Sequence, residues 1–218
     1  IIGFSYLLEF SKKYKVRHLV FASSSSVYGS SNACPYNETM NTDKTESIYA
    51  ATKKAGEVMS YSYSHLHNLP ITVMRFFTVY GPYGRPDMAI YKFTEGIINN
   101  NTIKLYNFGK HLRDFTYIDD VVDAIELVTN RTPKQKNYFE IYNIGSGKPK
   151  KLIYFLKVIE KILKKKAKTK KVKLQEGDVY KTHANIKKIT RDFNFQPKVD
   201  IEEGIELFAD WYRKYHKK

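Results

Sequence analysis

The sequence predicts an α/β fold with a parallel sheet. A short apolar run at residues 18–22 is typical of a strand buried on both faces, and a β-branched and aromatic run follows at residues 71–77. Between the two runs we predict a helix that ends at about His67. A strand, a helix and a second strand in this order indicate a βαβ unit, in which the two strands are parallel.

The first half of the chain predicts a helix, a strand and a polar loop. Four serines, residues 23–26, follow the first strand, and in open α/β sheets ligands bind beyond the carboxyl ends of strands. An ordinary serine-rich loop is the alternative interpretation. Residues 30–46 are polar and predict a loop, after which Thr45 or Ser47 is expected to cap the next helix. Apolar side chains at helical spacing predict a helix over residues 4–14: Phe4, Leu7, Leu8 and Phe10.

The second half predicts further strands at residues 102–106, 113–118 and 139–144. Asp119 is expected to cap a helix that reaches about Val128. An amphipathic helix is predicted over residues 151–165, and the lysine-rich run 164–171 is expected to end it and enter a loop. In the last helix Asp200 and Glu203 predict a capping box, and four residues form its expected apolar face: Ile205, Phe208, Trp211 and Tyr212.

Composition limits the function classes. The net charge of +15 is compatible with nucleic-acid binding, but the lysines are spread along the whole chain, so we do not expect it as the main function. The single cysteine, Cys34, excludes an intrachain disulfide, and the histidines lack ligand spacing, so no metal site is expected. With no long apolar run and no signal-peptide pattern, we expect a cytoplasmic protein that does not bind membranes.

Tyr49 and Lys53 form the most informative pair in the sequence. Their spacing of four places a phenol and an ammonium on one face of the predicted helix. A cation held close to a phenol favours the phenolate, so Tyr49 is a candidate general base. The pair alone is weak evidence, because a chain with 18 tyrosines produces such pairs by chance and a solvated helix face is the commoner explanation.

Four motifs in order carry a family resemblance. They are S-S-S-S-V-Y-G at residues 23–29, Y-A-A-T-K-K at 49–54, R-F-F-T-V-Y-G-P-Y-G-R-P-D-M-A at 75–89 and R-D-F-T-Y-I-D-D-V at 113–121. The sequence resembles the extended short-chain dehydrogenase/reductase superfamily and, within it, the NAD-dependent nucleotide-sugar epimerases that act on UDP-glucuronate. The resemblance implies the C-terminal part of a doubly wound, Rossmann-type sheet over residues 1–80. It also implies a smaller mixed α/β substrate domain, mainly residues 81–218, with the strands near 113–118 and 139–144 interleaving between the two.

The resemblance also implies the chemistry of the site. Tyr49 would take the proton of the sugar 4-hydroxyl while hydride leaves C4 for tightly bound NAD, and hydride returns to the other face of the 4-keto sugar. Lys53 would hold the nicotinamide ribose and keep the phenolate accessible, and Phe76 would contact the cofactor. Ser24 and Ser26 would hydrogen-bond the 4-oxygen. Related dehydratases carry an acid in that loop for elimination, so the serines favour epimerisation.

Four residues are implied to bind the substrate. Arg85 would lie beside the sugar carboxylate, which a guanidinium can grip with two hydrogen bonds, and this favours UDP-glucuronate over UDP-glucose. Thr78 would contact the sugar or its pyrophosphate, Arg113 the UDP phosphates and Asp178 the uridine ribose. UDP-glucose 4-epimerase is the alternative activity, and a surface arginine in a turn is the alternative interpretation of Arg85.

The glycine-rich dinucleotide-binding turn of such enzymes is absent from this sequence. We therefore expect the sequence to be a fragment. A second class of function then stays open, a non-catalytic remnant that binds only a UDP-sugar. Exposed apolar edges predict poor solubility of the isolated fragment. The family resemblance implies a homodimer of the full-length protein through the first helix and the Tyr49 helix.

Overall fold

A computed structural model describes residues 1–30, 33–134, 138–174 and 179–217. The helices in these ranges are α1 (Ile2–Lys13), α2 (Ile48–His67), α3 (Ala89–Ile98), α4 (Ile118–Thr129), α5 (Leu152–Leu163), α6 (Lys187–Phe193) and α7 (Ile201–Tyr215). The strands are β1 (Leu19–Ser24), β2 (Ile71–Phe76), β3 (Thr78–Tyr80), β4 (Thr102–Leu105), β5 (Leu112–Arg113), β6 (Phe115–Tyr117), β7 (Phe139–Ile144), β8 (Lys150–Lys151) and β9 (Lys168–Lys171).

The main sheet is parallel and has the strand order β1-β2-β7. Leu19 lies opposite Ile71, and Phe76 lies opposite both Ser24 and Ile144, so the three strands end together at one edge. Every residue of β2 except Phe76 is buried, because this central strand is covered on both faces. The α/β fold with parallel strands that the sequence predicts is therefore confirmed.

Three pairs of short strands lie outside the main sheet. β3 pairs with β6 and β4 with β9 in parallel, while β5 and β8 are antiparallel. The single strand predicted over residues 113–118 is interrupted at Asp114. The buried Asp114 carboxylate accepts hydrogen bonds from the backbone N–H groups of Ser146 (2.7 Å), Gly147 (3.1 Å) and Ala184 (2.9 Å). It thereby joins three segments of the chain at the point where β5 ends.

Two large apolar clusters form the core. One packs α4 and α6 against the main sheet through Met74, Val121, Ile144 and Ile189. The other joins α3, α5 and α7 to β4 and β6, with the rings of Phe115 and Phe155 stacked 4.1 Å apart. In α7 the predicted core residues Ile205, Phe208 and Tyr212 are buried, and Trp211 packs partly buried against them. The predicted domain boundary at residue 80 stays a prediction.

The structure corrects three local predictions. Asp119, the predicted cap of the fourth helix, lies instead in the first turn of α4, which starts at Ile118, and does not cap it. Asp200 occupies the N-cap position of α7, but its side chain accepts no capping hydrogen bond, so the capping box is wrong. Residues 168–171 were expected in a loop but form β9, because pairing with β4 satisfies their backbone groups. The cap on α2 is confirmed, since Ser47 Oγ accepts from Ala50 N at 3.1 Å.

The helix predicted at the N-terminus is present as α1. Leu8 is fully buried and Phe4 packs against the same small cluster, whereas Leu7 and Phe10 are exposed. Across the described ranges, helices long and apolar enough to cross a bilayer are absent.

Candidate functional site

One cavity of about 720 Å³ opens at the carboxyl ends of β1 and β2. Every predicted site residue that the structure describes lines it: Ser24, Ser26, Tyr49, Lys53, Phe76, Thr78, Arg85 and Arg113. Asp178 lies outside the described residues. The cavity has the size of an ordinary ligand site, about 300–1,000 Å³. Sequence analysis did not identify several further wall residues, among them Tyr36, Tyr80, Tyr83, Met88 and Thr182.

The serines occupy a tight turn at the end of β1. Ser24 is extended and caps the 3₁₀ turn Ser25–Tyr28, accepting from Ser26 N at 3.2 Å. Ser26 Oγ donates to Ser24 Oγ at 2.9 Å, so the two hydroxyls lie side by side on the cavity wall. The turn closes at Gly29, which has a φ of 60° and where a Cβ would lie 2.4 Å from the carbonyl oxygen of Lys44. Only glycine fits this position without strain.

Tyr49 and Lys53 lie one turn apart at the N-terminal end of α2. Lys53 Nζ is 5.7 Å from the centroid of the Tyr49 ring and donates to the Ala22 carbonyl oxygen at 2.8 Å. The ammonium is thus anchored to β1 while remaining on the cavity wall. Tyr49 is 56% exposed, so its phenol is accessible to a ligand. This arrangement can hold a hydroxyl-bearing ligand between the phenol and the two serine hydroxyls.

The next strand supplies Phe76 and Thr78. Phe76 ends β2 and is partly buried at the back of the cavity. Thr78 begins β3 and is held by its backbone N–H, which donates to the Asp114 carbonyl oxygen at 3.0 Å. The backbone bonds therefore fix both residues at the same edge of the sheet as the serines.

Arg85 lies in the loop of residues 81–88. Its guanidinium is largely exposed and its Nη2 lies 3.4 Å from Asp87 Oδ2. The loop contacts the last helix through Tyr83, whose ring centroid is 5.2 Å from that of Trp211. Arg113 also lines the cavity, and its Nη1 donates to the carbonyl oxygens of Tyr180 (3.0 Å) and Leu112 (3.3 Å). Two guanidinium groups therefore line the cavity together with the Lys53 ammonium, which favours anionic ligands.

A buried polar network lies directly beneath the cavity, and sequence analysis did not identify it. Arg75 and Glu57 are 2% and 3% exposed, and their side chains pair in a fork: Nη2 to Oε2 at 2.7 Å and Nε to Oε1 at 2.9 Å. Although burial opposes the charge on Arg75, the hydrogen bond to Glu57 keeps the pKa of the guanidinium above its usual range. Each of the two residues has a signal of its own in the sequence: Arg75 is an arginine within an apolar strand, and Glu57 is a glutamate one turn beyond Lys53.

Tyr28 and Asn143 extend the network. Arg75 Nη1 donates to Tyr28 Oη at 3.0 Å, and Tyr28 Oη donates to Asn143 Oδ1 at 2.7 Å. Burial raises the pKa of Tyr28 to about 12, which keeps this phenol neutral at physiological pH. Tyr28 is therefore a structural phenol, in contrast to Tyr49 on the cavity wall. Across the described ranges, clusters of histidine, cysteine and carboxylate side chains that could bind a metal are absent.

Comparison with known proteins finds a matching family and similar relatives. Residues 1–145 match the NAD dependent epimerase/dehydratase family. Protein CapI of Staphylococcus aureus is 45% identical over 232 residues, which cover 100% of this chain and 70% of CapI. UDP-glucuronate 4-epimerase 5 of Arabidopsis thaliana is 44% identical over 230 residues, which cover 99% of this chain and 53% of the plant protein. The chain thus spans only part of the length of these relatives.

Solved structures share the fold. The UDP-glucuronic acid 4-epimerase of Bacillus cereus, in complex with UDP-glucuronic acid and NAD, matches with a TM-score of 0.92 and 30% identity over 99% of this chain and 67% of that enzyme. The UDP-glucose 4-epimerase of Thermotoga maritima, with UDP-glucose, matches with a TM-score of 0.91 and 29% identity over 99% of this chain and 70% of that enzyme. The Rossmann-type fold class is therefore shown by comparison as well as by the strand order.

Proposed function

Since this chain belongs to the NAD dependent epimerase/dehydratase family, we propose that it carries the catalytic and sugar-binding part of an NAD-dependent 4-epimerase. The proposed substrate is UDP-glucuronate, which is converted to UDP-galacturonate. One observation supports the proposal above all others: a phenol, an ammonium and two paired serine hydroxyls lie on the wall of one cavity, together with two arginines. The named activities of the plant and Bacillus cereus proteins agree with it.

The residues fit the NAD-dependent reaction. Lys53 uses one ammonium donor on Ala22, and its remaining donors can hold the ribose hydroxyls of the nicotinamide half, which would rest against Phe76. Bound NAD supplies the acceptor and the donor of hydride at C4 of the sugar. Tyr49 is proposed to accept the proton of the 4-hydroxyl and to return it at the end of the reaction, with the Lys53 ammonium 5.7 Å from the centroid of its ring. Ser24 and Ser26 hydrogen-bond the 4-oxygen in both of its states.

The choice of sugar rests on Arg85. A glucuronate carboxylate can form charge-assisted hydrogen bonds with the guanidinium, and a neutral hexose cannot. Arg113 is proposed to hold the UDP phosphates, and Thr78 the sugar or its pyrophosphate. The proposed contact between Asp178 and the uridine ribose stays a prediction. The Thermotoga maritima structure favours UDP-glucose as the second candidate substrate, because it has the same fold and a neutral sugar.

The assembly and location of the protein are also proposed. The exposed faces of α1 and α2 carry large apolar side chains, including Tyr6, Phe10, Tyr61 and Leu66, and we propose that they form a homodimer interface. Such an enzyme would work in the cytoplasm, where nucleotide sugars are made.

The test compares two tyrosines of α2 that are both 56% exposed, Tyr49 and Tyr61. In protein expressed from the complete open reading frame, Tyr49→Phe should lower kcat for interconversion of UDP-glucuronate and UDP-galacturonate by about 10²–10⁴-fold, the usual contribution of a general base. Its Kd for UDP-glucuronate should stay within about twofold, since the ring is retained. Tyr61→Phe keeps the apolar ring on the proposed dimer face and lies outside the cavity, so it should turn over as the wild type does. Products are measured by anion-exchange chromatography.

Other results of these assays would favour the alternative functions or contradict the proposal. Tight UDP-glucuronate binding without turnover by the wild type would favour the alternative of a non-catalytic UDP-sugar-binding protein. Faster turnover of UDP-glucose than of UDP-glucuronate would favour the second candidate substrate. Loss of sugar binding in Tyr49→Phe would show that Tyr49 is structural, and absence of UDP-sugar binding in the wild type would contradict the proposal.

A further inference from the structure

The buried pair of Glu57 and Arg75 lies on two elements that carry site residues, α2 and β2, and contacts the segment that carries the serines. Glu57 lies on α2, one turn beyond Lys53 and two turns beyond Tyr49, so all three side chains share one face of the helix. Its Oε1 accepts a hydrogen bond from Ser23 Oγ at 2.5 Å. Ser23 immediately precedes Ser24, so this bond connects the Tyr49 helix to the serine turn.

Arg75 connects the same carboxylate to β2 and to Tyr28. Arg75 immediately precedes Phe76 on β2, and its guanidinium donates hydrogen bonds to both carboxylate oxygens of Glu57. The guanidinium carbon lies 4.8 Å from the centroid of the Tyr28 ring, and Nη1 also points to the Glu38 carbonyl oxygen at 3.5 Å. Tyr28 belongs to the serine turn itself. A lysine could not make this set of contacts, because they need a planar group with several donors.

Stability alone does not account for this pair. Replacing a buried ion pair by apolar residues of similar volume is often neutral or stabilising, by about 1–4 kcal/mol, so such a pair is weak evidence of a stabilising role. Its geometry instead fixes the relative positions of α2, β1 and β2, the three elements that carry the phenol, the serines and the cofactor-facing Phe76. A displacement of about 1 Å in such a constellation can lower the rate about 10²-fold.

We infer that Glu57 and Arg75 are positioning residues, which hold Ser24 and Ser26 at the distance from Tyr49 that the reaction requires. The inference rests on the proposed function. Glu57 sets the distance between α2 and the serine turn through Ser23, and Arg75 sets the orientation of the Glu57 carboxylate.

The experiment separates positioning from charge compensation with a double variant. Glu57→Gln alone and Arg75→Met alone each leave a buried charge without its partner and should lower Tm strongly. The double variant E57Q/R75M removes both charges and should recover much of the Tm. Its kcat for UDP-glucuronate should nevertheless stay lowered by about 10–100-fold, with KM within about twofold, because the sugar-binding arginines are intact while the serines are displaced.

Two further variants serve as controls. Ser23→Ala removes only the hydroxyl that joins Glu57 to the serine turn. It should lower kcat with a much smaller loss of Tm than Glu57→Gln or Arg75→Met, because the ion pair stays intact and Arg75 Nε still donates to Glu57 Oε1. The double variant E140Q/K188M removes a comparable ion pair, 2.6 Å long and partly buried between β7 and α6, which does not line the cavity. It should leave kcat unchanged.

The inference would be overturned if E57Q/R75M recovered both Tm and wild-type kcat. A crystal structure of E57Q/R75M gives a readout independent of activity. Ser24 Oγ should move by more than about 0.5 Å relative to Tyr49 Oη, beyond the tolerance of catalytic constellations. If the wild type lacked epimerase activity, the proposed function would be wrong, and an unmoved Ser24 in that crystal structure would separately refute the positioning role.

Discussion

At the scale of single residues, the proposed choice of sugar rests on Arg85 and its surroundings. The side chains of Arg85 and Asp87 are 74% and 62% exposed, and an exposed pair of this kind contributes only about 0–1 kcal/mol. A sugar carboxylate can therefore replace Asp87 as the partner of the guanidinium at little cost. A surface arginine in a turn, the alternative interpretation of Arg85, would have the same exposure but no effect on the choice of sugar.

Replacing Arg85 by methionine should raise KM for UDP-glucuronate by about 10–100-fold, since hydrogen bonds to charged groups contribute about 1.5–3 kcal/mol. KM for UDP-glucose should change little, because that sugar has no carboxylate. The measurement is a pair of steady-state titrations of Arg85→Met. Arg191→Met is the matched control, since Arg191 is 72% exposed and also pairs with an aspartate, but does not line the cavity. Equal losses with both sugars would show that Arg85 does not select the carboxylate.

The site residues named from the sequence could be placed on the cavity wall because they stand in ordered motifs at strand ends and on one helix face, whereas wall residues such as Tyr36 and Thr182 carry no such signal. Tyr49 and Lys53 share a face by spacing alone, and the serines follow a strand. Glu57 and Arg75 could not be paired from the sequence, because their contact depends on how α2 packs on β2. The sequence also could not show that Lys53 is anchored on Ala22, a residue 31 positions away.

At the scale of elements, close packing of α7 on β3 and β6 depends on a glycine. A Cβ at Gly204 would lie 2.3 Å from Tyr80 Oη and 2.8 Å from Tyr117 Cδ2. Both tyrosines are buried, at 4% and 3% exposure, so neither ring can move aside without disturbing the core. Because Gly204 has no side chain, α7 can pack this closely against Tyr80 and Tyr117. The same helix contacts the Arg85 loop through Trp211 and Tyr83.

Gly204→Ala should therefore lower the free energy of unfolding by about 1–3 kcal/mol, the usual cost of overpacking a core. The control is Gly3→Ala in α1, where a Cβ would meet nothing within 4 Å. That substitution should instead stabilise the helix by up to about 1 kcal/mol, the difference in helix propensity between glycine and alanine. Urea unfolding followed by circular dichroism measures both values. A Gly204→Ala variant as stable as Gly3→Ala would contradict the packing argument.

Helices and strands could be predicted where the pattern of neighbouring residues determines them, and were missed where pairing with a distant segment does. The apolar runs that became β1, β2 and β7 and the periodicity that became α1 and α5 were correctly interpreted. Lys168–Lys171 became β9 although its side chains are all exposed, because its strand character comes from pairing with β4 more than 60 residues away. Asp119 and Asp200 have capping chemistry, yet neither side chain accepts a capping bond in the folded chain.

At the scale of the whole molecule, several buried tyrosines make the stability of the fold depend on pH in the alkaline range. Burial raises the pKa of Tyr28 and of Tyr212 to about 12, and it raises the pKa of Tyr36, Tyr80 and Tyr142 in the same direction. These phenols belong to all the larger apolar clusters, so their ionisation affects the entire fold. In the unfolded chain a tyrosine ionises near pH 10.

The sign of the effect follows from these values. Above pH 10 the unfolded chain loses phenolic protons that the folded chain retains, so the folded state is progressively destabilised. The stabilisation from Tyr28 is complete below pH 10 and is lost as pH rises through about 12. Because one pKa unit corresponds to about 1.4 kcal/mol, this phenol alone should account for a loss of about 1 kcal/mol between pH 9 and pH 11.

We expect Tyr28→Phe to be less stable than the wild type at pH 8, because Asn143 Oδ1 loses a buried hydrogen-bond donor. Its stability should nevertheless fall less steeply with pH, by about 1 kcal/mol less between pH 9 and pH 11. Urea unfolding at several pH values gives both quantities. Tyr6→Phe, on the exposed face of α1 at 62% exposure, is the matched control and should leave the wild-type slope unchanged. If Tyr28→Phe kept the wild-type slope, the alkaline loss would belong to the other buried phenols, and the network beneath the cavity would not contribute to the pH dependence of the fold.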